Sequence, residues 1–501
     1  MQRVSSVPTV ARPPRLLSVR RVLAPVMLWP AIGLLAIYAV CYVQFALQLA
    51  RYPFDIDQGE GYDAWSAWLL NLGQLPYATN ATYPYYSSNY PPLWSYLVSI
   101  PLAWIGPDVM AARLVSTASA LGCAVVLGLA ARRLAGRTLA GLLAGGFFLA
   151  SPYVFHTTPL ARVNSLALLL ALVGISLLEA PTRKRVIFGS VALVAALFTK
   201  PTTLDAVVAA IGCALLVRPR HGLLAAGLVA GMGAACLAGF QALTGGAFWV
   251  NVVAGNENPF DSAQLTAYMT NFSLLHCVLL VLAIAEAGWL VRRKQWSPWV
   301  LYLVTAGAAT VSVGKWGAGE SYFLSAIAAV CVLAASWIVR FVDNAQSLHV
   351  RTALSAAVLL QGLLLSHSIV SAAAPWLPDR GPQSEYLGHA PTLEDLIAGN
   401  EIVTEIKRAH GPPLAEDPSF AVVAGQSVVG NATHLHNLYA AGLWDPAPLV
   451  SEIRAHHYGI VILNAELYPE PVLAAIGQSY FEERTVRVSG ATYHLFLPGT
   501  Q

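Results

Sequence analysis

The chain has 501 residues, 56% of them hydrophobic and only 11% charged, with a formal net charge of +3. Apolar runs longer than about 18 residues recur along most of its length, which excludes an ordinary soluble domain and leaves a polytopic membrane protein. Its six cysteines, Cys41, Cys123, Cys213, Cys236, Cys277 and Cys331, all fall in apolar segments with no CxxC spacing, so they read as core packing rather than a disulfide framework or a metal site.

In chain order, Arg3, Arg12, Arg15, Arg20 and Arg21 make residues 1–26 a basic N-terminus before a span of about Met27 to Leu49. The positive-inside rule keeps that end in the cytoplasm. With no small-residue cleavage site behind a short apolar core, the first span is expected to be retained. The stretch 51–92 follows, and it sets Asp55, Asp57, Glu60 and Asp63 within nine residues before a Tyr- and Pro-rich loop. Ionisable groups at a membrane edge point to function. A short apolar segment, about Leu93 to Ile105, is expected to be re-entrant or interfacial, and Ala111 to Ala131 returns inward.

Basic clusters then recur at Arg132-Arg133-Arg137, Arg183-Lys184-Arg185, Arg218 with Arg220, Arg292-Arg293-Lys294, and Arg340 with Arg351. Residues 1–375 hold 23 Lys and Arg, and only Arg51, Arg113, Arg162, Lys200 and Lys315 fall outside the inward loops and termini. Residues 376–501 hold 6 basic and 14 acidic residues, an acidic tail that suits the outer side. The alternation predicts a mainly α fold: a transmembrane helical bundle of about eleven spans over 27–375, in the cytoplasmic membrane, with its N-terminus inside. Residues 376–501 are expected to form a small extracytoplasmic α/β domain, with a helix over PTLEDLIAGNEIVTEIKRAHGPP ending at His410 before Gly411, a helix at PLVSEIRAHH, and strands at FAVVAG, YGIVILN, ERTVRVSG and TYHLFL.

This topology gathers polar residues on one side: the first-loop acids, Asp108, Arg113, His156, Arg162, Lys200, Asp205, Glu257, Asn258, Asp261, Lys315 and Glu320. Each has a plainer reading. Asp57-Gln-Gly-Glu60 has the form of a helix capping box, although capping accounts for neither Asp55 nor Asp63. A lone cation at a span end snorkels to headgroups, whereas Arg113, Arg162, Lys200 and Lys315 together suit an anionic group such as a phosphate. His156 reads more simply as a satisfied interfacial histidine than as a ligand, since no second His stands at metal spacing. Tyr83, Tyr85, Tyr86, Tyr90 and Trp94 suit an interfacial belt or sugar-stacking faces equally. With Glu257, Asn258, Glu320 and Tyr322, the residues Tyr83, Tyr90 and His156 form the candidate substrate-binding set.

The segments DIDQGEGYDAW, LGQLPY, YPPLWSYL, MAARLVSTASAL, ARVNSLALLLALVGI, LFTKPTTL, GNENPF and SYFLSAIAAV resemble those of the GT-C superfamily of membrane glycosyltransferases, in the branch of the protein O-mannosyltransferases and the lipid A aminoarabinose transferase. The resemblance covers roughly residues 30–340. It implies a polyprenyl-phosphate sugar donor, transfer with inversion at the outer face, and a glycan, lipid or protein acceptor. It also implies an acidic first-loop base, here Asp57 with Asp55 and Glu60 beside it. One departure is Asn164, in ARVNSLA, where similar sequences often carry an acid. No cofactor is required by the sequence, although the outer acids suit oxygen ligation of Mg²⁺ or Mn²⁺. Membrane lipids are expected contacts and nucleic acid is not. The competing class is a transporter or flippase of a lipid-linked or anionic substrate, whose inverted repeat and midplane charges are absent from the sequence.

Overall fold

The computed structural model describes residues 28–256, 258–345, 347–373 and 388–499. Helices dominate, and five of the described ones are long and apolar enough to cross a bilayer: Trp29–Ala50, Val109–Ala135, Pro219–Leu243, Glu320–Asn344 and Leu348–Leu365. The pair Ser262–Leu275 and Cys277–Arg292 makes a sixth if its 81° bend lies within one span. The remaining apolar helices, such as Leu93–Ile105 and Asn164–Leu178, run 10–17 residues. At about 1.5 Å per residue, helices of 13–15 residues reach only about 20–23 Å, short of a hydrocarbon core about 30 Å thick. That is why eleven hydropathic segments do not become eleven full-length helices.

Local chemistry sets the helix ends. Asp108 is the N-cap of Val109–Ala135, its side chain accepting from Met110 N, and Gly136 closes that helix in the left-handed region at φ 70°. Asp261 likewise caps Ser262–Leu275. Two of the outer acids in the sequence are therefore caps. Neighbouring spans approach closely through small residues: a Cβ on Gly141 would lie 2.7 Å from Gly128 O, so Val109–Ala135 and Thr138–Ala150 touch backbone to backbone.

The tail carries a four-stranded sheet in the order β1-β2-β4-β3, from β1 (Pro413–Ala415), β2 (Ile460–Leu463), β3 (Tyr480–Val488) and β4 (Ala491–Pro498). β1 runs parallel to β2, and β3 and β4 form a hairpin turned by Ser489 and Gly490, both at positive φ. Helix Leu393–Arg408 lies where expected but stops before His410. The FAVVAG segment is a correction: Pro418–Val423 is a helix, started by Pro418 at its first turn, and a short apolar run cannot by itself distinguish the two.

The tail is seated on the first loop rather than hanging beside it. Gly399 lies against the Phe54 ring, where a Cβ would come within 2.2 Å, and Tyr52 Oη is 3.0 Å from Ser489 Oγ. Farther along the loop, Gly430 N donates to Pro84 O and Trp444 Nε1 to Asn80 O.

Candidate active site

The first-loop acids separate into two kinds. Glu60 opens helix Glu60–Asn71 and is fully buried against Arg113. Arg113 Nε and Nη2 donate to the two Glu60 oxygens at 2.7 Å each, and its other hydrogens go to Leu49 O, Tyr52 O and Phe54 O. A guanidinium has five N–H donors, so none is left for a phosphate. Glu60 also accepts from Ile56 N, Asp57 N and Ala161 N. Burial would raise its pKa, but the charge and hydrogen bonds of Arg113 outweigh that and hold it below the usual carboxylate range. Glu60 and Arg113 thus leave the catalytic and phosphate-binding sets and fix the loop's shape.

Asp55 is likewise turned away. Its carboxylate accepts from Ser419 N at 3.2 Å while its own N–H donates to Ser419 Oγ at 2.8 Å, which ties the loop to the tail. The capping box is half right: Glu60 reaches back to Asp57 N, but Gly59 is the N-cap and the Asp57 side chain caps nothing. Asp57 points instead at Arg162.

Arg162 Nε lies 3.3 Å from Asp57 Oδ2 and 3.5 Å from Asp63 Oδ2, one cation between two carboxylates. Its Nη2 donates to Tyr90 Oη at 3.3 Å, and Nη1 has no hydrogen-bond partner among the described residues. Gly59 permits this, because a Cβ there would sit 1.1 Å from Nη1. Asp57 remains 38% exposed, whereas Asp63 is 5% exposed with Oδ2 unmatched by any hydrogen bond. Burial pushes the Asp63 pKa up to about 7 against the pull of Arg162, and raises Asp57 in the same sense.

Lys200 continues the cluster. Its ammonium donates to Asn164 Oδ1 at 2.7 Å and lies 4.7 Å from the Tyr322 ring centre. Burial, then the charge of Arg162, brings its pKa down to about 7. A small hollow of about 40 Å³ adjoins it, lined also by Thr203, Asp205, Ser312, Ser321 and Ser325. Asn164 gives the lysine a hydrogen bond without adding a charge, while Asp63 and Asp205 lie near enough to act on it electrostatically.

The other candidates fall elsewhere. His156 Nδ1 is 2.7 Å from Glu320 Oε2 with both side chains fully buried, an internal pair that offers no surface to a substrate. Lys315 is exposed and makes no side-chain hydrogen bond or ion pair among the described residues, while its backbone bridges to Phe260. Asn258 donates to Trp316 O in that same pair of zipped loops, and Glu257 lies outside the described residues. Tyr83 packs its ring 5.6 Å from His457 of the tail. Among the described residues, no group of three or more His, Cys, Asp or Glu is arranged to hold a metal ion.

The sequence does not set Asp63 apart from the other first-loop acids, and it gives no clear sign of Ser419 or of Asp417, which is buried in the tail and accepts from Asn464 Nδ2 at 3.0 Å and from Tyr493 Oη. The only local signal of Ser419 and Asp417 is the EDPS run after β1, unremarkable in a tail rich in acids.

No protein-family model and no curated sequence matches the chain. Solved structures do. ArnT from Cupriavidus metallidurans bound to undecaprenyl phosphate superposes with a TM-score of 0.59 at 14% identity, over 94% of this chain and 99% of that one. The Archaeoglobus fulgidus oligosaccharyltransferase in its apo form gives 0.55 at 11% identity, over 90% of this chain and 73% of that one. The same archaeal enzyme, AglB, in complex with an inhibitory peptide and a dolichol-phosphate gives 0.50. From first loop to tail, this chain shares the fold of ArnT and of the archaeal oligosaccharyltransferase.

Proposed function

We propose that the protein is a membrane glycosyltransferase that moves a sugar from a polyprenyl-phosphate donor to an acceptor hydroxyl at the outer face of the cytoplasmic membrane, with inversion. The observation that carries this reading is Arg162, held between Asp57 and Asp63 beside a lysine that faces a hydroxyl-lined hollow. The fold shared with ArnT, whose solved structure binds undecaprenyl phosphate, supports the donor class. The topology read from charge, about eleven spans with the tail outside, puts the cluster on the outer side.

In this scheme Asp57, the more exposed of the two acids beside Arg162, accepts the proton of the acceptor hydroxyl as its oxygen attacks the anomeric carbon. Burial makes its carboxylate a stronger base than usual. The bond from that carbon to the phosphate oxygen breaks, and the electron pair leaves on polyprenyl phosphate. Lys200 and the unused Nη1 of Arg162 stabilise that charge in a site of low polarity. The scheme assigns the phosphate to these cations without a metal ion, and transfer that stops in excess chelator would contradict that assignment.

General-base help is worth about 10²–10⁴ in rate. Purified Asp57→Asn in proteoliposomes with radiolabelled polyprenyl-phosphate sugar should lose transfer by that factor while still binding donor. Full activity in that variant removes Asp57 from the mechanism.

A further inference from the structure

A second hollow, of about 540 Å³, shares no lining residue with the one beside Lys200. Three remote stretches wall it: residues 79–81 of the first loop, the turn 241–251 after helix Pro219–Leu243, and residues 443–448 of the tail. Gly245 and Gly246, at φ 56° and 98°, let the chain double back there before helix Ala247–Val252 begins.

The polar wall is fixed in advance. Asn80 is 7% exposed and its Nδ2 donates to Asn251 Oδ1 at 2.7 Å. That same oxygen lies 2.7 Å from His434 Nε2, and Trp444 Nε1 donates to the Asn80 carbonyl at 2.5 Å. So held, Asn80 keeps a buried Oδ1 with no hydrogen-bond partner, on the wall of the hollow. Such an acceptor is costly to bury unmatched, and the hydroxyl of a ligand would satisfy it. Gln241 Oε1 accepts from Trp249 N at 3.1 Å, and its amide nitrogen makes no hydrogen bond among the described residues. Trp249, also in the lining, is 46% exposed.

Charge narrows the ligand. No Lys, Arg or His lines the hollow, and its one ionisable residue is Asp445, whose Oδ1 accepts from Ala447 N at the start of the helix Ala447–Arg454. A phosphate or carboxylate would meet no cation there. Amides with an exposed indole suit a molecule that has hydroxyls on its edges and apolar C–H faces. The hollow's volume lies within the range for small-molecule pockets, about 300–1,000 Å³.

We propose that this hollow binds a neutral saccharide, stacked on Trp249 with a hydroxyl donating to Asn80 Oδ1. That it holds the acceptor glycan away from the transfer centre rests on the transferase reading; the binding does not. The test is saturation-transfer NMR on the full chain in nanodiscs, with neutral glucan, mannan, galactan and arabinan trisaccharides as probes. At least one should bind, Trp249→Ala should weaken it about tenfold or more, and Asp57→Asn should leave it unchanged. An equal melting temperature for Trp249→Ala shows that a lost signal comes from the site. Binding of no probe, or equal binding to Trp249→Ala, overturns the proposal. Saccharide binding without transfer by the wild type would instead sink the transferase reading alone.

Discussion

Arg113 and Glu60 are locked together at zero exposure, with every guanidinium hydrogen taken inside the fold. This pair joins the first span, the first loop and the helix Val109–Ala135. Removing one partner leaves the other buried and unmatched, which costs about 3–5 kcal/mol. Arg113→Ala and Glu60→Ala should each lower the melting temperature of the purified protein strongly, with activity falling in proportion to folded protein. A variant that keeps wild-type stability and loses only donor binding would restore Arg113 to the phosphate site.

Gly59 is the sharper probe of Arg162. Its φ of −85° suits alanine, so Gly59→Ala strains no backbone, yet the new Cβ would overlap Nη1. The guanidinium must then leave Asp57 and Asp63. A displacement of about 1 Å at a reacting centre costs on the order of 10²-fold. Transfer by Gly59→Ala should fall by about that factor with little change in melting temperature, and unchanged turnover would take Arg162 out of the mechanism.

Lys200 gives a pH signature. Burial brings its folded pKa from the ordinary lysine range down to about 7. Between those values the unfolded chain holds a proton that the folded chain lacks, so this residue makes stability rise with pH across that window. Donor binding runs the other way, because it needs the ammonium, and a phosphodiester keeps its charge throughout. Affinity for a non-transferable donor analogue should drop as pH rises through about 7, by roughly 10–100-fold for a charged hydrogen bond. Lys200→Met should be weak and flat, and an unaltered pH profile in that variant would discard the assignment.

The tail's grip on the first loop should also titrate. Burial pushes Asp417 up to about 7, and burial followed by the charge of Asp417 pushes Asp55 well above the carboxylate range. The folded pair keeps protons that the unfolded chain has lost, so its contribution is complete at acid pH and fades as pH rises toward and through about 7. Amide hydrogen exchange over residues 54–63, corrected for its intrinsic pH dependence, should accelerate from pH 5 to 8. Asp417→Asn should flatten that trend, and Ser419→Ala should speed exchange at every pH. Protection indifferent to Ser419→Ala would mean that the tail does not hold the loop.

Hydropathy and charge were sufficient for the class of protein, the acidic loop behind the first span, and an acidic tail with β structure. These are one-dimensional properties: a bilayer filters segments by apolar length, and a basic loop is placed by its own charge. They also pointed to Asp57, Arg162, Lys200, Tyr90 and Tyr322, which the fold brings to one cluster. Which acid stays free was beyond them. Asp55, Asp57, Glu60 and Asp63 are four carboxylates in nine residues, and only their partners separate them: Ser419 for Asp55, Arg113 for Glu60, and Arg162 for the other two. Each partner is distant in sequence, the nearest being Arg113. The tertiary structure decided the site because a carboxylate's role depends on whether its charge is already matched, and matching is settled by three-dimensional packing.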